Sequence, residues 1–297
     1  MTSGAVNFIV DGTTYQTWYT VFGDLSSGVT PLVTVHGGPG MTHHYMLPNK
    51  VFHEKFGIPV VLYDQIGNGA SSHVENADTA FWKPELFMDE LDNLVKALKV
   101  QDNFDLLGHS WGGMLVGEYA ASRKPHGLRR LIIANAPASI EIFEQGTQRL
   151  LSQFPDGFAE MMRRHEENGT MDDPEFQEGL MKYNTKHICA MNPWPEELMQ
   201  SFSAVMKNPK VYGTMWGNTD WNIIGTMKGW SAIEIAHQIA APTLLLSAPL
   251  DEVQDAAVRP WFSTIPKVKW VELQQSTHLA QFEEPERYAE VVSQFLS

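Results

Sequence analysis

Short apolar runs recur along the chain, separated by longer segments whose apolar residues repeat every three or four positions. The runs predict buried strands over residues 31–35, 60–63, 104–107, 131–134, 243–246 and 268–273. Residues 86–98, between two of these runs, and residues 288–295, after the last one, place apolar side chains at helical spacing. Because strands that alternate with helices form parallel sheets, the pattern predicts an α/β protein with a mostly parallel central sheet. An alternating stretch over residues 8–22, around Asp11-Gly12, predicts an antiparallel hairpin at the sheet edge.

The alternation stops after Asn135-Ala136-Pro137 and resumes only at Pro242. The intervening chain is rich in Met, Trp, Phe and charged residues, and it shows helical patterns over residues 140–154, 156–167, 174–189 and 195–205. We therefore predict a core of residues 1–136 and 238–297 with an inserted helical cap over residues 137–237. An insertion in this place would lie over one edge of the sheet, shape a pocket there and exclude water from it.

A serine flanked by glycines stands between a predicted strand and a predicted helix. The segment Gly108-His109-Ser110-Trp111-Gly112 follows the apolar run 104–107 and precedes a helical pattern over residues 114–122. Glycines on both sides let the backbone make a sharp turn that exposes the serine hydroxyl, the arrangement called a nucleophile elbow. The pattern G-x-S-x-G alone is weak, since it arises by chance in roughly one chain in ten. With this context it predicts acyl transfer to water.

The loop His36-Gly37-Gly38-Pro39-Gly40 follows the predicted strand 31–35. Its backbone N–H groups can stabilise the oxyanion of an acyl-transfer reaction, together with the N–H of the residue after the nucleophile. We expect Gly38 and Trp111 to be these two donors. The alternative for this loop is an ordinary tight turn.

Acyl transfer through serine also needs a base and an acid, which follow an elbow serine in the order Asp or Glu, then His. Only His278 among the histidines beyond Ser110 lies in a loop shortly after a predicted core strand. The loop after the preceding strand carries Asp251, the predicted acid, with Glu252 and Asp255 as rivals by spacing. Catalytic groups of an open α/β sheet lie at the carboxyl ends of its strands, which agrees with both positions.

Composition narrows the class of protein further. The chain has 297 residues, 43% of them hydrophobic, and a formal net charge of −14. A strongly acidic chain disfavours nucleic acid and anionic membranes as partners. The first residues lack a signal-peptide pattern, no apolar stretch reaches membrane-spanning length, and the single cysteine, Cys189, fits a reducing compartment. We therefore expect a cytoplasmic enzyme.

Three motifs then point to one family. His36-Gly37-Gly38-Pro39-Gly40, Asp64-Gln65-Ile66-Gly67-Asn68-Gly69-Ala70-Ser71 and Gly108-His109-Ser110-Trp111-Gly112-Gly113, in this order, resemble the proline iminopeptidases over almost the whole chain. The resemblance implies an α/β-hydrolase fold with a helical cap, hydrolysis of the bond after a free amino-terminal residue, typically proline, and no metal or other cofactor. It also implies Ser110, Asp251 and His278 as triad, with Gly38 and Trp111 as oxyanion donors.

The family holds the substrate's amino group with carboxylates, and the resemblance places Glu252 and Asp220 in that role. Asp220 lies in the segment 217–226, where the family usually has glutamate, so its shorter side chain puts strict prolyl specificity in question. We also expect Gly37 of the glycine-rich loop and Trp221 to contact the substrate. The candidate pocket-lining tryptophans are Trp111, Trp194, Trp216 and Trp221.

Other functions remain open on the same residues. An amino-acid amidase or a carboxylesterase could use the same triad, and a catalytically silent binding protein is a further alternative. Dehalogenases and typical epoxide hydrolases of this fold carry aspartate at the elbow, so Ser110 argues against them. The preferred prediction is a serine aminopeptidase acting on a small peptide or an amino-acid amide, with its oligomeric state open.

Overall fold

The computed structural model describes residues 1–297 and contains one eight-stranded sheet in the order β1-β2-β4-β3-β5-β6-β7-β8. The strands are β1 Thr2–Val10, β2 Thr13–Phe22, β3 Leu32–Val35, β4 Val60–Tyr63, β5 Phe104–His109, β6 Leu128–Ala134, β7 Thr243–Ser247 and β8 Val268–Glu272. Strand β2 runs antiparallel to both β1 and β4, whereas all other neighbours are parallel. The predicted mostly parallel sheet is therefore confirmed.

The amino-terminal hairpin is longer than the sequence pattern predicts. Strand β1 begins at Thr2 and pairs along its whole length with β2, from Thr2 opposite Val21 to Val10 opposite Thr13. Most of its side chains are exposed or half-buried, so little of it carries an apolar pattern. At the turn, Asp11 and Gly12 have φ of 48° and 79°, the positive values that a tight hairpin turn requires.

Helices cover both faces of the sheet. They are α1 Val51–Phe56, α2 Pro84–Ala97, α3 Trp111–Ser122, α4 Ile140–Ser152, α5 Phe158–Asn168, α6 Pro174–His187, α7 Glu196–Lys207, α8 Lys210–Met215, α9 Asp255–Thr264, α10 Ala280–Glu283 and α11 Pro285–Leu296. No helix combines the length and the apolar composition that a membrane crossing needs.

Successive strand residues point to opposite sides of the sheet and so build two hydrophobic layers. Leu131 and Ile133 belong to the larger cluster, which includes buried residues of α2, α3 and α9, whereas Ile132 belongs to the second, with residues of α1 and α11. The central strands are buried on both faces, which explains why the sequence shows them as continuous apolar runs.

The segment between β6 and β7 contains the five helices α4 to α8 and none of the strands of the sheet. The first four lie within about two residues of the helical patterns in the sequence, whereas the six-residue helix α8 was not predicted. A small hydrophobic cluster of its own, including Leu151, Met162, Tyr183 and Trp221, holds part of this segment together.

Candidate active site

Ser110 lies at a strained turn between β5 and α3. Its φ of 57° and ψ of −127° are a conformation that non-glycine residues rarely adopt. A Cβ atom on Gly108 would lie 2.1 Å from the carbonyl oxygen of Gly112, and one on Gly112 would lie 2.2 Å from that of Val35. Both glycines are therefore sterically required, and the turn presents Ser110 to the cavity above the sheet.

His278 and Asp251 lie in the loops that follow β8 and β7. Asp251 Oδ1 is 2.8 Å from His278 Nδ1 and accepts the Val253 N–H at 2.8 Å, while Oδ2 accepts from the Asn135 side chain at 2.7 Å. The fully buried carboxylate thus has a partner on each oxygen and orients the imidazole. No hydrogen bond joins Ser110 to the His278 ring, although both line one cavity; such bonds commonly tighten only when substrate binds.

Asn135 also belongs to this arrangement, although it was not predicted from the sequence. It follows β6, has a φ of 51° and fixes the second oxygen of Asp251. Asparagine is one of the few residues that tolerate positive φ, so its position directly after a predicted strand was the available indication.

The predicted oxyanion donors are the backbone amides of Gly38, which lines the cavity of Ser110, and of Trp111, the residue that follows Ser110. Neither amide donates a hydrogen bond within the protein. Gly38 has a φ of 116°, and a Cβ atom there would lie 2.6 Å from the Gly40 nitrogen, so glycine is required. The Gly37 N–H, by contrast, donates to the Tyr45 hydroxyl and is not available to a substrate.

The segment from Asp64 to Ser71 is hydrogen-bonded to the glycine-rich loop and to Trp111. The Gln65 side chain donates to the His36 carbonyl at 2.8 Å and accepts from the Trp111 indole at 3.0 Å. Asp64 in turn accepts from the Ala70 N–H at 2.9 Å, an approach for which Gly69 leaves room. This motif therefore links the glycine-rich loop to the residue after Ser110.

Ser110, Gly38, His278, Asp220 and Glu252 all line one cavity. The apolar part of its wall is formed by Met41, Tyr45, Ile188, Leu198, Phe202, Tyr212 and Leu279. No lysine or arginine side chain lines it. The cavity therefore combines a serine hydroxyl, an apolar wall and two carboxyl groups.

None of the tryptophans that we considered as lining residues, namely Trp111, Trp194, Trp216 and Trp221, forms part of the cavity wall. Trp221 packs beside Tyr183 within the cap, with ring centroids 5.5 Å apart, and its indole donates to Glu166 at 3.0 Å. Gly37 is likewise absent from the wall. The structure thus places Gly37 and Trp221 outside the residues that line this cavity.

Two acidic side chains, Asp220 and Glu252, lie in the wall of the same cavity. Asp220 Oδ1 accepts from the Trp216 indole at 2.8 Å and from the Tyr212 hydroxyl at 3.3 Å. Glu252 is 5% exposed, and its Oε2 is buried without any hydrogen-bond partner. Burial, with the nearby charges of Asp220 and Asp251, raises the pKa of Glu252 well above its ordinary value. Burial also raises the pKa of Asp220.

Glu166 was missed by sequence reasoning, although it holds the loop that carries Asp220. Its carboxylate accepts from Thr219 Oγ1 at 2.8 Å, Trp221 Nε1 at 3.0 Å and Asn222 Nδ2 at 3.0 Å. The partners lie more than fifty positions away from Glu166 in the chain, so no local pattern could indicate them. The structure contains no group of three His, Cys, Asp or Glu side chains arranged to hold a metal ion.

Comparison with known proteins agrees with this architecture. A family model described as alpha/beta hydrolase fold matches residues 30–285, and the chain is an α/β hydrolase. It is 32% identical to the proline iminopeptidase of Heyndrickxia coagulans over 274 residues, or 92% of this chain and 93% of that protein. The chain belongs to the proline iminopeptidase family.

Two solved structures share the fold over nearly the full length. The crystal structure of VinJ is 40% identical, with a TM-score of 0.94 over 99% of this chain and 98% of that one. The proline iminopeptidase of Mycobacterium smegmatis is 32% identical, with a TM-score of 0.90 over 99% of this chain and 97% of that one. The similarity therefore includes the helical segment between β6 and β7.

Proposed function

We propose that the protein is a serine hydrolase that cleaves the amide bond after an amino-terminal residue whose amine is free. The observation that carries this proposal is the buried Glu252 carboxyl group, unpartnered on Oε2, beside Asp220 in the cavity of Ser110. Buried ionisable groups without partners are costly, and they concentrate where a ligand supplies the partner. A substrate ammonium is the complementary group, and membership of the proline iminopeptidase family supports the same class of substrate.

In the proposed reaction, His278 accepts the Ser110 proton while Asp251 keeps the imidazole oriented through Nδ1. The serine oxygen attacks the carbonyl carbon, and the resulting oxyanion accepts hydrogen bonds from the Gly38 and Trp111 amides. His278 then gives its proton to the departing amine, which breaks the amide bond and leaves an acyl-enzyme. Water attacks that ester with His278 again as base, which releases the amino acid and restores Ser110.

The two carboxylates determine which substrates reach this geometry. A protonated prolyl nitrogen has two N–H groups and a primary ammonium has three, so both types can donate to Asp220 and Glu252. Hydrogen bonds that involve charged groups contribute about 1.5–3 kcal/mol each. Acetylation removes the charge and the donors, so it should lower kcat/KM by roughly 10²- to 10⁴-fold.

The test compares prolyl and alanyl p-nitroanilides, each with a free and an acetylated amino terminus, beside a simple p-nitrophenyl ester. The proposal predicts a strong preference for the free amines and loss of turnover in Ser110→Ala. The ratio of prolyl to alanyl turnover then defines the preferred residue. Indifference to acetylation, or turnover of the ester alone, would contradict the aminopeptidase and leave an esterase on the same residues.

A further inference from the structure

A chain of hydrogen bonds links the glycine-rich loop to the loop of the catalytic histidine through His109. The Gly37 N–H donates to the Tyr45 hydroxyl, and that hydroxyl lies 3.1 Å from His109 Nδ1. His109 Nε2 lies 2.8 Å from the backbone carbonyl oxygen of His278. Tyr45 and His109 are both buried and belong to the cavity wall.

The chemistry of each atom sets the direction of this chain. A carbonyl oxygen only accepts, so His109 must carry its proton on Nε2 and present a lone pair at Nδ1. The Tyr45 hydroxyl therefore donates to Nδ1, and its oxygen accepts from Gly37. Every donor and acceptor in the chain is then paired, and only the neutral imidazole fits. Burial, followed by the nearby His278, lowers the pKa of His109 well below 6.5, which agrees with a neutral ring.

The packing around the chain leaves little room for another arrangement. A Cβ atom on Gly37 would lie 2.8 Å from Ser110 Cβ, 2.9 Å from the Tyr45 hydroxyl oxygen and 3.0 Å from the His109 carbonyl oxygen. The His109 and His278 rings have centroids 4.7 Å apart. The His109 side chain therefore lies between two parts of the site. Gly37 of the glycine-rich loop is on one side, and the loop of His278 is on the other.

We propose that His109 and Tyr45 are positioning residues for the Ser110 reaction, which together hold the Gly37–Gly38 peptide and the His278 backbone in their working places. They exchange no proton with the substrate. This inference rests on the proposed function, since it assigns a role in acyl transfer through Ser110. Loss of the Tyr45 hydroxyl would leave the Gly37 N–H and His109 Nδ1 without partners inside the protein, and both loops would lose a fixed neighbour.

The test replaces the hydroxyl alone, in Tyr45→Phe, and measures kcat and KM per active site titrated with a fluorophosphonate. Titration removes any effect of a smaller folded fraction. We expect kcat to fall about tenfold, which corresponds to about 1.4 kcal/mol, with KM changed less than twofold. The control is Tyr288→Phe, because the Tyr288 hydroxyl is likewise buried and hydrogen-bonded, to Asn49 Oδ1 at 2.8 Å, but lies outside the cavity wall.

A second pair of variants keeps the inference testable if Tyr45→Phe folds poorly. Glutamine at position 109 can still donate to the His278 carbonyl, whereas alanine cannot, so His109→Gln should retain several-fold more kcat than His109→Ala. Equal kcat for Tyr45→Phe and Tyr288→Phe, or for the two His109 variants, would overturn the inference. Retained activity in Ser110→Ala would instead overturn the proposed function, so the two failures are distinguishable.

Discussion

Asp251 and Glu252 are adjacent acidic residues, both buried, and their surroundings are opposite. Three hydrogen bonds reach Asp251, from Val253, Asn135 and His278, and both of its oxygens are used. No hydrogen bond reaches the Glu252 carboxyl group on its buried Oε2. The two neighbours therefore differ: Asp251 has all its partners within the protein, whereas Glu252 Oε2 has none.

This difference indicates two kinds of task. A carboxylate whose oxygens both have internal partners is held in a fixed orientation, which suits the positioning of a base. A buried carboxyl group without partners is destabilised until a ligand pairs with it, and so it favours binding of a cation. Changes at the two positions should therefore affect different kinetic quantities.

The largest effect is expected at the internally paired residue. Asp251→Asn should lower kcat about 10⁴-fold, because an amide in this place no longer favours the protonated imidazole that forms in the reaction. The loss should be the same for free and acetylated substrates, since the amine is bound elsewhere. Steady-state kinetics on both p-nitroanilides checks this, with circular dichroism to confirm the fold. A loss of less than tenfold would remove Asp251 from the triad.

Glu252→Gln should act on recognition and have a smaller effect. Glutamine keeps the size but not the charge, so kcat/KM for the free alanyl p-nitroanilide should fall roughly 10- to 150-fold, the equivalent of one charged hydrogen bond. Slow turnover of the acetylated substrate should be unchanged. If both substrates lose activity equally, Glu252 supports the triad and does not bind the amine.

The core of this molecule could be predicted from the sequence because its determinants are local. The strands of the parallel region are buried on both faces and appear as apolar runs, and strand order then places Ser110, Asp251 and His278 at one edge of the sheet. The glycines at 108 and 112 indicate the sharp turn at Ser110, because a side chain at either position would clash with the backbone. Each of these features depends on neighbours in sequence or on topology.

The residues that form the cavity wall were predicted less well, because their positions depend on contacts between residues that are distant in sequence. The tryptophans were expected at the substrate, yet Trp221 satisfies its indole through Glu166, 55 positions away, and buries its ring within the cap. Helix α8 has only six residues, too few for a helical period to stand out. How the cap helices pack on one another is not encoded in the spacing within any one of them.

Glu166 allows a test of how the loop that carries Asp220 is held in place. Glu166→Gln removes the charge that binds Thr219, Trp221 and Asn222, so the loop that carries Asp220 should become less ordered. We expect KM for free-amine substrates to rise about three- to tenfold, as for loss of one hydrogen bond of about 1 kcal/mol, with kcat almost unchanged. Glu175→Gln, which changes a more exposed glutamate on α6, is the control. Unchanged KM would show that the loop does not need this support.

The smallest expected effect is on thermal stability. Glutamine in place of Glu252 should raise Tm, whereas glutamine in place of Glu90 should lower it. Because burial raises the pKa of Glu252 above its ordinary 4.5, the folded protein holds the proton more tightly than the unfolded chain does. Its contribution to stability is therefore complete below pH 4.5 and is lost as the pH rises toward the raised pKa. Glutamine has no proton to lose, so Glu252→Gln should raise Tm by about 2 °C at pH 8 and by less at pH 5.

Glu90 is the matched control, because it is equally buried and burial raises its pKa to about 8. It differs in having partners, since it accepts from Thr17 Oγ1 at 2.6 Å and from the Ile66 N–H at 2.9 Å. An amide in its place would turn a donor toward the Ile66 N–H, so Glu90→Gln should lower Tm by about 2–8 °C at both pH values. Thermal unfolding of both variants at pH 5 and pH 8 measures this. A lower Tm for Glu252→Gln at pH 8 would mean that the Glu252 carboxyl group has a stabilising partner in the free enzyme, and its place as a receptor for the substrate amine would be lost.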